Sequence, residues 1–397
     1  MNISVENCSS CAACANVCTQ GAIIMRLDNE GFYRPIIDAS KCIECGLCKK
    51  ICPWTTNVEN PHGSSNVPKT LAAYVNEESI RLQSSSGGIF TILAEKILKD
   101  GGAVVGVAQL SSTRFGHVVV ENKNDLARLQ GSKYVQADVG TVYKDVRKLL
   151  KAGRKVLFSG TPCQVAGLYA ALGKSASSAD LFTVDVVCHG TPSVKVFEKY
   201  IVELESVNQS KVASTQFRDK RKGWRLFSMS SLMQLASGKK ILFSKTLRKD
   251  PFMRAFLENI CLNTSCADCH YGKLPRIADI TLGDYWNIAC VHPEMDDNKG
   301  TSVVLLNTCH GKDLFGMVES QMTLLHSKIE FAIDGNPCIV RSSIPHPKRN
   351  EFLEKLGEKP FNSLVNEYFP PKSPIKELWE DSLDLLRGVK NKMKKIF

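Results

Sequence analysis

Eight cysteines in the first 53 residues form two copies of one phrase. Cys8, Cys11, Cys14 and Cys18 are spaced C-x2-C-x2-C-x3-C. Cys42, Cys45, Cys48 and Cys52 repeat the spacing and run into Pro53. Three closely spaced thiolates reach one face of an iron–sulfur cube from a tight loop, and a distant fourth closes the site. In two-cluster ferredoxins that fourth cysteine ligates the other copy's cluster. The phrase therefore assigns one [4Fe-4S] cluster to Cys8, Cys11, Cys14 and Cys52. It assigns a second to Cys42, Cys45, Cys48 and Cys18. Crossing the fourth ligands ties both loops into one small fold and brings the clusters close enough to exchange electrons. Zinc knuckles pair two C-x2-C units across a longer gap. A disulfide framework needs an oxidising compartment, and nothing in the sequence points to one. Thr19 follows Cys18 where the phrase often has proline, which touches the turn more than the ligation.

A chain of 397 residues exceeds one ordinary domain, so a small electron-transfer module followed by a larger unit is expected. No run approaches the ~20 apolar residues of a membrane span. The start, MNISVENCSSC, lacks a basic segment followed by an apolar one. Many thiols without an export signal imply a reducing cytoplasm. The net charge is +11 but unevenly spread. Residues 1–54 balance Arg26, Arg34, Lys41, Lys49 and Lys50 against Glu6, Asp28, Glu30, Asp38 and Glu44. A neutral module suits a fixed relay inside a larger machine better than a diffusing carrier.

Residues 55–69, rich in Asn, Ser, Pro and Gly, read as a linker. A strand, LAAYV, and then Ser84, Ser85, Ser86, Gly87 and Gly88 follow, leading into an amphipathic helix that ends near Gly101. Such a turn offers backbone N–H groups to an anion such as a nucleotide phosphate. It serves equally as plain helix capping. Strands are expected at 103–109 and 115–121, and then GSKYVQ at 131–136 with Lys133 and Tyr134. KVLFSGTPCQVAGLYAAL and LFTVDVVCHGTPSVKVFEKYIVEL share one grammar: apolar strand, turn, helix. That repetition suggests parallel βα units, whose strand ends share one ligand-binding edge. Cys163 and Cys188 then face one crevice. A single cysteine there would read as a small buried hydrophobe, but two at equivalent positions favour ligation.

Residues 211–249 hold eleven basic side chains against Asp219 alone, on a pattern that suggests a β-hairpin turning at Ser237-Gly238. Such a hairpin clamps an anionic substrate or partner, or is a solvated face. Sparse aromatics argue against nucleic acid. Cys266 and Cys269 form a C-x2-C pair lacking local partners. Cys163 and Cys188 are the natural complement, giving a third [4Fe-4S] cluster. Zinc is the plainer alternative, and Cys261 could replace one of the four. Asp284, Tyr285 and Trp286 close the strand ADITLG, and a strand–helix unit follows at 302–320. Cys290 and Cys309 read as structural. The tail PIKELWEDSLDLLRGVKNKMKKIF is basic and amphipathic. Docking on the core or a partner is favoured for it over a membrane surface.

The phrases SSSGG, GSKYVQ, GTPCQVAGL, CHGTPS, FRDK with GW, and SC-x2-C followed by ITLGDYW fall in one order over residues 72–308. Together they resemble the coenzyme F420 hydrogenase/dehydrogenase beta-subunit family, here joined to an N-terminal two-cluster ferredoxin domain. The resemblance implies an FAD beside an iron–sulfur cluster, passing electrons between a two-electron deazaflavin-type substrate and ferredoxin-type one-electron carriers. By motif, Cys163, Cys188, Cys266 and Cys269 would hold the cluster. Ser85, Ser86, Gly87, Gly88, Lys133 and Tyr134 would line the flavin site. Similar layouts also occur beside polysaccharide-biosynthesis enzymes. Thr264 stands where family members often carry arginine, a change in the surroundings of the third cluster.

The expected fold is mixed, α+β or α/β. A bis-cluster ferredoxin-like domain (1–54) and a linker (55–69) precede a mixed α/β flavin and iron–sulfur domain (70–345) and a helical extension (346–397). Its expected partners are a redox protein and a small anionic organic substrate. His189 and Asp284 are acid–base candidates by location. Two rival readings remain: a relay subunit without flavin, and a zinc-stabilised binding protein.

Overall fold

The two cysteine loops repeat each other in backbone as well as in sequence. In the computed structural model, which describes residues 7–371, Ser10 and Ala12 of the first loop hold positive φ (62° and 57°). Glu44 and Gly46 do so at the matching positions of the second (52° and 71°). Each loop then enters a short helix, Ala13–Val17 and Leu47–Lys50. Positive φ outside glycine is uncommon. Here it accompanies backbone donors aimed at sulfur: the N–H of Ser10 donates to Cys8 Sγ and that of Ala22 to Cys18 Sγ, both at 3.3 Å. Between the loops, β1 (Ile23–Leu27) and β2 (Tyr33–Ile37) pair antiparallel.

The larger unit is built on an eight-stranded sheet. Its strands are β3 (Lys69–Val75), β4 (Ala103–Gln109), β5 (Phe115–Val120), β6 (Val156–Gly160) and β7 (Leu181–Val186), with three more arriving after residue 279. A separate three-stranded antiparallel sheet intervenes: β8 (Ser210–Asp219), β9 (Ser228–Leu235) and β10 (Lys240–Thr246). The main sheet resumes with β11 (Ile280–Asp284), β12 (Ser302–Leu306) and β13 (Met322–Ser327). Its order is β13-β3-β12-β11-β7-β6-β4-β5. The four inner strands β4, β6, β7 and β11 run parallel, as the repeated strand–turn–helix grammar requires. The outer strands run antiparallel, so the sheet is mixed. The basic hairpin is β9–β10, and β8 adds a third strand to it.

Continuous apolar runs explain the layering. Val104 packs into one core with Leu157 and Val184, whereas Val105, Val156 and Phe158 pack into another. Strands buried on both faces need helices on both. Helix Ile89–Lys99 covers one face with Ile89, Ile92, Leu93 and Ile97, each fully buried. Every such side chain contributes roughly 1.5–3 kcal/mol over leaving it in water. Helices Val142–Lys151 and Pro162–Leu172 cover the other face. The small sheet, helix Val194–Asn208, helix Pro251–Leu257 and the helices Arg349–Glu354 and Phe361–Tyr368 share a further core.

This topology gathers chemistry on one edge. β6 ends before Cys163, β7 before Cys188 and β11 at Asp284. β3, antiparallel to β12 and therefore running the same way as β11, also ends there, since Ala73 pairs with Ser302 and Ser302 with Asp284. The turn Ser84–Gly88 therefore arrives at the same edge.

The cysteine module is clamped onto this unit. Arg34 is buried and donates to Asp28 (2.9 Å), to Asn263 Oδ1 (2.9 Å) and to the carbonyl of Cys8. The Tyr33 N–H donates to Gln136 Oε1, Asn16 to the Gly140 carbonyl, and Tyr143 Oη to the Cys11 carbonyl. Residues 55–69, read as a linker, are also fastened: His62 Nδ1 lies 3.1 Å from Asp279 and the Ser65 N–H donates to the Asn307 carbonyl. The amphipathic tail lies outside the described residues. Among those described, no helix is long and apolar enough to cross a membrane.

Candidate iron–sulfur and cofactor site

The first eight cysteines influence one another across the two loops as well as within them. Burial pushes Cys8 and Cys14 up, the latter to about 12, and the like charge of Cys52 adds to both. Cys48 is raised by burial, with Cys45 and Cys18 adding to it. The first loop thus feels Cys52 and the second Cys18, and Cys14 also feels Cys48. All of these cysteines are free of disulfides.

A second gathering lies on the sheet edge. Cys163, Cys188, Cys266 and Cys269 line one pocket. Local sequence sets each in place. Pro162 opens its helix, and the Gln164 side chain accepts from the Thr161 N–H at 2.9 Å, fixing Cys163 in the first turn. Asn263 N–H donates to the Thr191 carbonyl and Ser193 N–H to the Cys261 carbonyl, which carries the Cys266 loop against the segment after Cys188. The Thr191 N–H then donates to Cys266 Sγ at 3.3 Å. Burial first, and then mutual repulsion, push Cys163 to about 12 and Cys266 to about 11, with Cys188 well above its ordinary value. Thiols that resist ionisation together lose their protons readily only to a cation set among them. This donor set fits an iron–sulfur cube. Among the described residues no three His, Cys, Asp or Glu side chains converge closely enough for a single ion.

The remaining cysteines separate from this group. Cys261 is fully buried in the apolar core, apart from the residues that line the quartet's pocket. Cys290 and Cys309 are exposed rather than structural. Cys338, which the sequence pattern did not single out, lines the same pocket as the quartet.

The pocket borders the ferredoxin module on one side. Cys163 is near enough to add to the raised value of Cys11. Tyr271 lines the quartet's pocket, and its hydroxyl donates to the Pro53 carbonyl of the cysteine module at 3.0 Å. Trp54 stacks on His270 at 4.1 Å. These aromatics each follow within two residues of a cysteine, Trp54 after Cys52 and Tyr271 after Cys269, and that adjacency was their only trace in the sequence.

On the other side, His189 lines the pocket and meets Phe256 edge-on at 5.1 Å, and Phe256 stacks on Tyr134 at 4.9 Å. Burial lowers the His189 pKa, and Asn259 Oδ1 holds its Nε2 at 2.6 Å. Beyond lies a cavity of about 510 Å³ lined by Gln109, Ser132, Lys133, Gln216 and Arg218, among others. Burial lowers Lys133 to about 7, although its ammonium donates to the carbonyls of Arg128 and Gln130. Ser85 Oγ accepts from the N–H of Ser132 at 2.7 Å, joining the Ser/Gly turn to GSKYVQ. Ser86 donates to the Thr301 carbonyl, and the Gly87 N–H donates to Ser302 Oγ. Gly87 admits no side chain, since a Cβ would meet the Ala73 carbonyl at 2.4 Å, and Gly88 holds φ +88°.

Arg218, one of the eleven basic residues, turns inward. It is buried, paired twice with Asp284 at 2.7 and 3.0 Å, and lies over the Phe227 and Trp286 rings. Asp284 also accepts from Trp224 Nε1, and Trp224 stacks on Trp286 at 5.1 Å. Asp284 thus positions Arg218. Tyr285, expected beside it at the edge, is buried in the opposite core. Lys220 donates to the carbonyls of Arg81, Ser86 and Lys299, which satisfies all three ammonium donors.

Comparison with known proteins agrees with these features. Residues 7–56 match the 4Fe-4S dicluster domain model. Residues 70–144 match "Coenzyme F420 hydrogenase/dehydrogenase, beta subunit N-term", and residues 153–330 match the C-terminus model of the same subunit. No curated protein matches. Among solved structures, the chain is similar to one from the F420-reducing [NiFe] hydrogenase complex of Methanosarcina barkeri. The identity is 17%, covering 71% of this chain and 93% of that one, with a TM-score of 0.45. The two beta-subunit models together take in more than half of the chain, which therefore belongs to the coenzyme F420 hydrogenase/dehydrogenase beta-subunit family and carries a 4Fe-4S dicluster domain before it.

Proposed function

We propose that the chain is an iron–sulfur flavoprotein oxidoreductase that moves electrons between a two-electron organic substrate and ferredoxin-type carriers. In this reading Cys8, Cys11, Cys14 and Cys52 hold one cluster, Cys42, Cys45, Cys48 and Cys18 a second, and Cys163, Cys188, Cys266 and Cys269 a third. Ser85, Ser86, Gly87, Gly88, Lys133 and Tyr134 border an FAD. The flavin supplies interconversion of two- and one-electron steps, and the clusters supply one-electron steps alone. The observation that carries the reading is continuity. Ser9 and Trp54 of the cysteine module line the quartet pocket on one side; on the other, His189, Phe256 and Tyr134 form a file of rings that leads to Arg218, which lines the 510 Å³ cavity.

The chain's own residues bind, orient and shield. Arg218, pinned by Asp284, offers the cavity a fixed cation that suits an anionic ligand. His189, held by Asn259 and depressed by burial, is neutral at pH 7 and keeps apolar cover on the quartet. Phe256 and Tyr134 exclude water from the space between the two sites.

Cofactor stoichiometry after anaerobic purification tests the reading. About twelve irons, as three cubes require, with one FAD per chain is the expected result. About eight irons without flavin would defeat it. One observation favours the second reading, a relay subunit without flavin: the Gly87 N–H and Ser85 Oγ of the Ser/Gly turn are already engaged within the protein. Twelve irons without FAD would select that relay.

A further inference from the structure

The module formed by residues 1–54 is neutral in total, but the structure sorts its charges. On the inner side they are spent: Arg34 is taken by Asp28 and Asn263, and Glu30 by Arg349. On the outer side Lys41, Lys49 and Lys50 are exposed around the second cysteine loop. Asp38 pairs with Lys41 there, and Glu44 is the remaining acid of the loop.

The same end is apolar at its centre. Cys45 is exposed, whereas the other eleven cysteines proposed as ligands are not. Ile43 (63% exposed) and Leu47 (39%) stand two residues to either side of it. Ile24 and Ile36, an exposed cross-strand pair, lie near the base of the hairpin. That base closes at the Asp38 N–H to Ala22 carbonyl bond, and it touches Cys18 through the Ala22 N–H and Cys42 through the Asp38 carbonyl. An apolar centre with a polar rim is the build of a protein interface.

We propose that this face is the docking surface for a small acidic one-electron carrier protein. The inference rests on the electron-transfer reading above. Lys49 and Lys50, the two lysines of this face not paired with Asp38, complement a carboxylate-rimmed partner beside the apolar centre, and they would steer its encounter at low ionic strength. A partner seated there meets Cys45, the one exposed cysteine among the twelve proposed ligands, while the first loop stays turned to the quartet pocket.

The test uses the full chain with its clusters and a reduced acidic flavodoxin in stopped flow. The flavodoxin hydroquinone anion loses one electron and becomes the neutral semiquinone, an oxidised cluster gains that electron, and no proton moves. For the natural chain, semiquinone should grow rapidly at low salt and at least tenfold more slowly at high salt. Lys49→Glu/Lys50→Glu should lower the low-salt rate at least tenfold and flatten the salt dependence. Its iron content and its reduction by dithionite should be unchanged. Ile43→Ser/Leu47→Ser should weaken flavodoxin binding, measured by sedimentation, at every salt concentration.

Lys239→Glu/Lys240→Glu, on the exposed turn of the small sheet, should behave as the natural chain. A rate loss in that variant but not in Lys49→Glu/Lys50→Glu overturns the proposal, because docking would then be at the small sheet. A natural chain reduced by dithionite but not by flavodoxin at any salt overturns it too, leaving the electron-transfer reading standing. A natural chain without reducible iron overturns both.

Discussion

The two cysteine loops are near-copies in spacing, in positive-φ positions and in the short helix that follows, yet they occupy opposite environments. The first holds buried Cys11 and has Tyr143, Arg34 and Asn263 bound to its carbonyls. The second carries exposed Cys45 between exposed apolar residues. A sequence phrase therefore specifies local thiolate geometry, while docking specifies which copy faces inward. Inserted asymmetrically into a larger unit, a symmetric module becomes a directional one.

The asymmetry breaks most sharply at Arg34. Its guanidinium links Asp28, Asn263 and the Cys8 carbonyl, and lies over Phe32. Arg34→Ala leaves Asp28 without its cation and strands the buried Asn263 amide oxygen, while the Cys8 carbonyl keeps only its bond from Asn263 Nδ2. The cost should be roughly 3 kcal/mol, read as a lower midpoint in anaerobic denaturant unfolding. Arg34→Lys should recover little, since an ammonium cannot reproduce the fork. If Arg34→Ala unfolds at the natural midpoint, the inner loop is not held by this clasp.

A smaller effect sharpens the contrast. Gly167 sits inside helix Pro162–Leu172, where alanine ordinarily gains up to about 1 kcal/mol. Here a Cβ would meet Cys11 Cβ at 2.8 Å and the Tyr143 hydroxyl at 3.0 Å. Gly167→Ala should therefore destabilise, by about 1–2 kcal/mol, and perturb the spectrum of the inner cluster alone. At Gly46 of the outer loop nothing lies within 4 Å of an added Cβ. Alanine there should cost only its positive φ, about 1 kcal/mol. A Gly167→Ala chain with the natural spectrum and the natural unfolding midpoint would mean that the inner loop is not packed as closely as this.

Much of this was legible in the chain. The cysteine phrase, the C-x2-C pair and the repeated strand–turn–helix grammar depend on short-range spacing, which sequence displays directly. Thus Cys163 and Cys188 could be set on one edge before the fold was seen. What was hidden depends on long-range packing. A count of basic residues does not separate Arg218, buried on Asp284, from exposed Lys240, and alternation along β8 does not mark Arg218 as inward because bulges at Val212/Ser214 and Gln216/Asp219 break it. Cys261 looked like a possible ligand because it precedes Cys266, yet its side chain is turned into the core. Residues 55–69 had a linker's composition, but they lie against the sheet because Asn60 and His62 find Asp279.

That last contact yields the mildest prediction, and it separates the two clasps by pH. The inner loop is held by arginine, which keeps its charge throughout the accessible range. The segment after the outer loop is held by His62 on Asp279, a carboxylate that also accepts from Thr183 and Thr308. The hydrogen bond to Asp279 raises the His62 pKa, while burial opposes it and the carboxylate's charge adds to it. A raised folded pKa means stability that is fully present below the ordinary imidazole value of about 6.5 and is lost as pH climbs through the folded value. Asp279, held low despite its burial by His62 and Thr183, stays ionised across that window. Amide exchange of residues 57–66, corrected for its intrinsic pH dependence, should quicken several-fold on passing from acidic to alkaline buffer, while residues 28–36 around Arg34 stay level. His62→Gln should abolish the pH response and leave the segment loose at every pH. If the natural chain shows no pH response, or if both segments respond alike, the second fastening does not depend on the charge of His62.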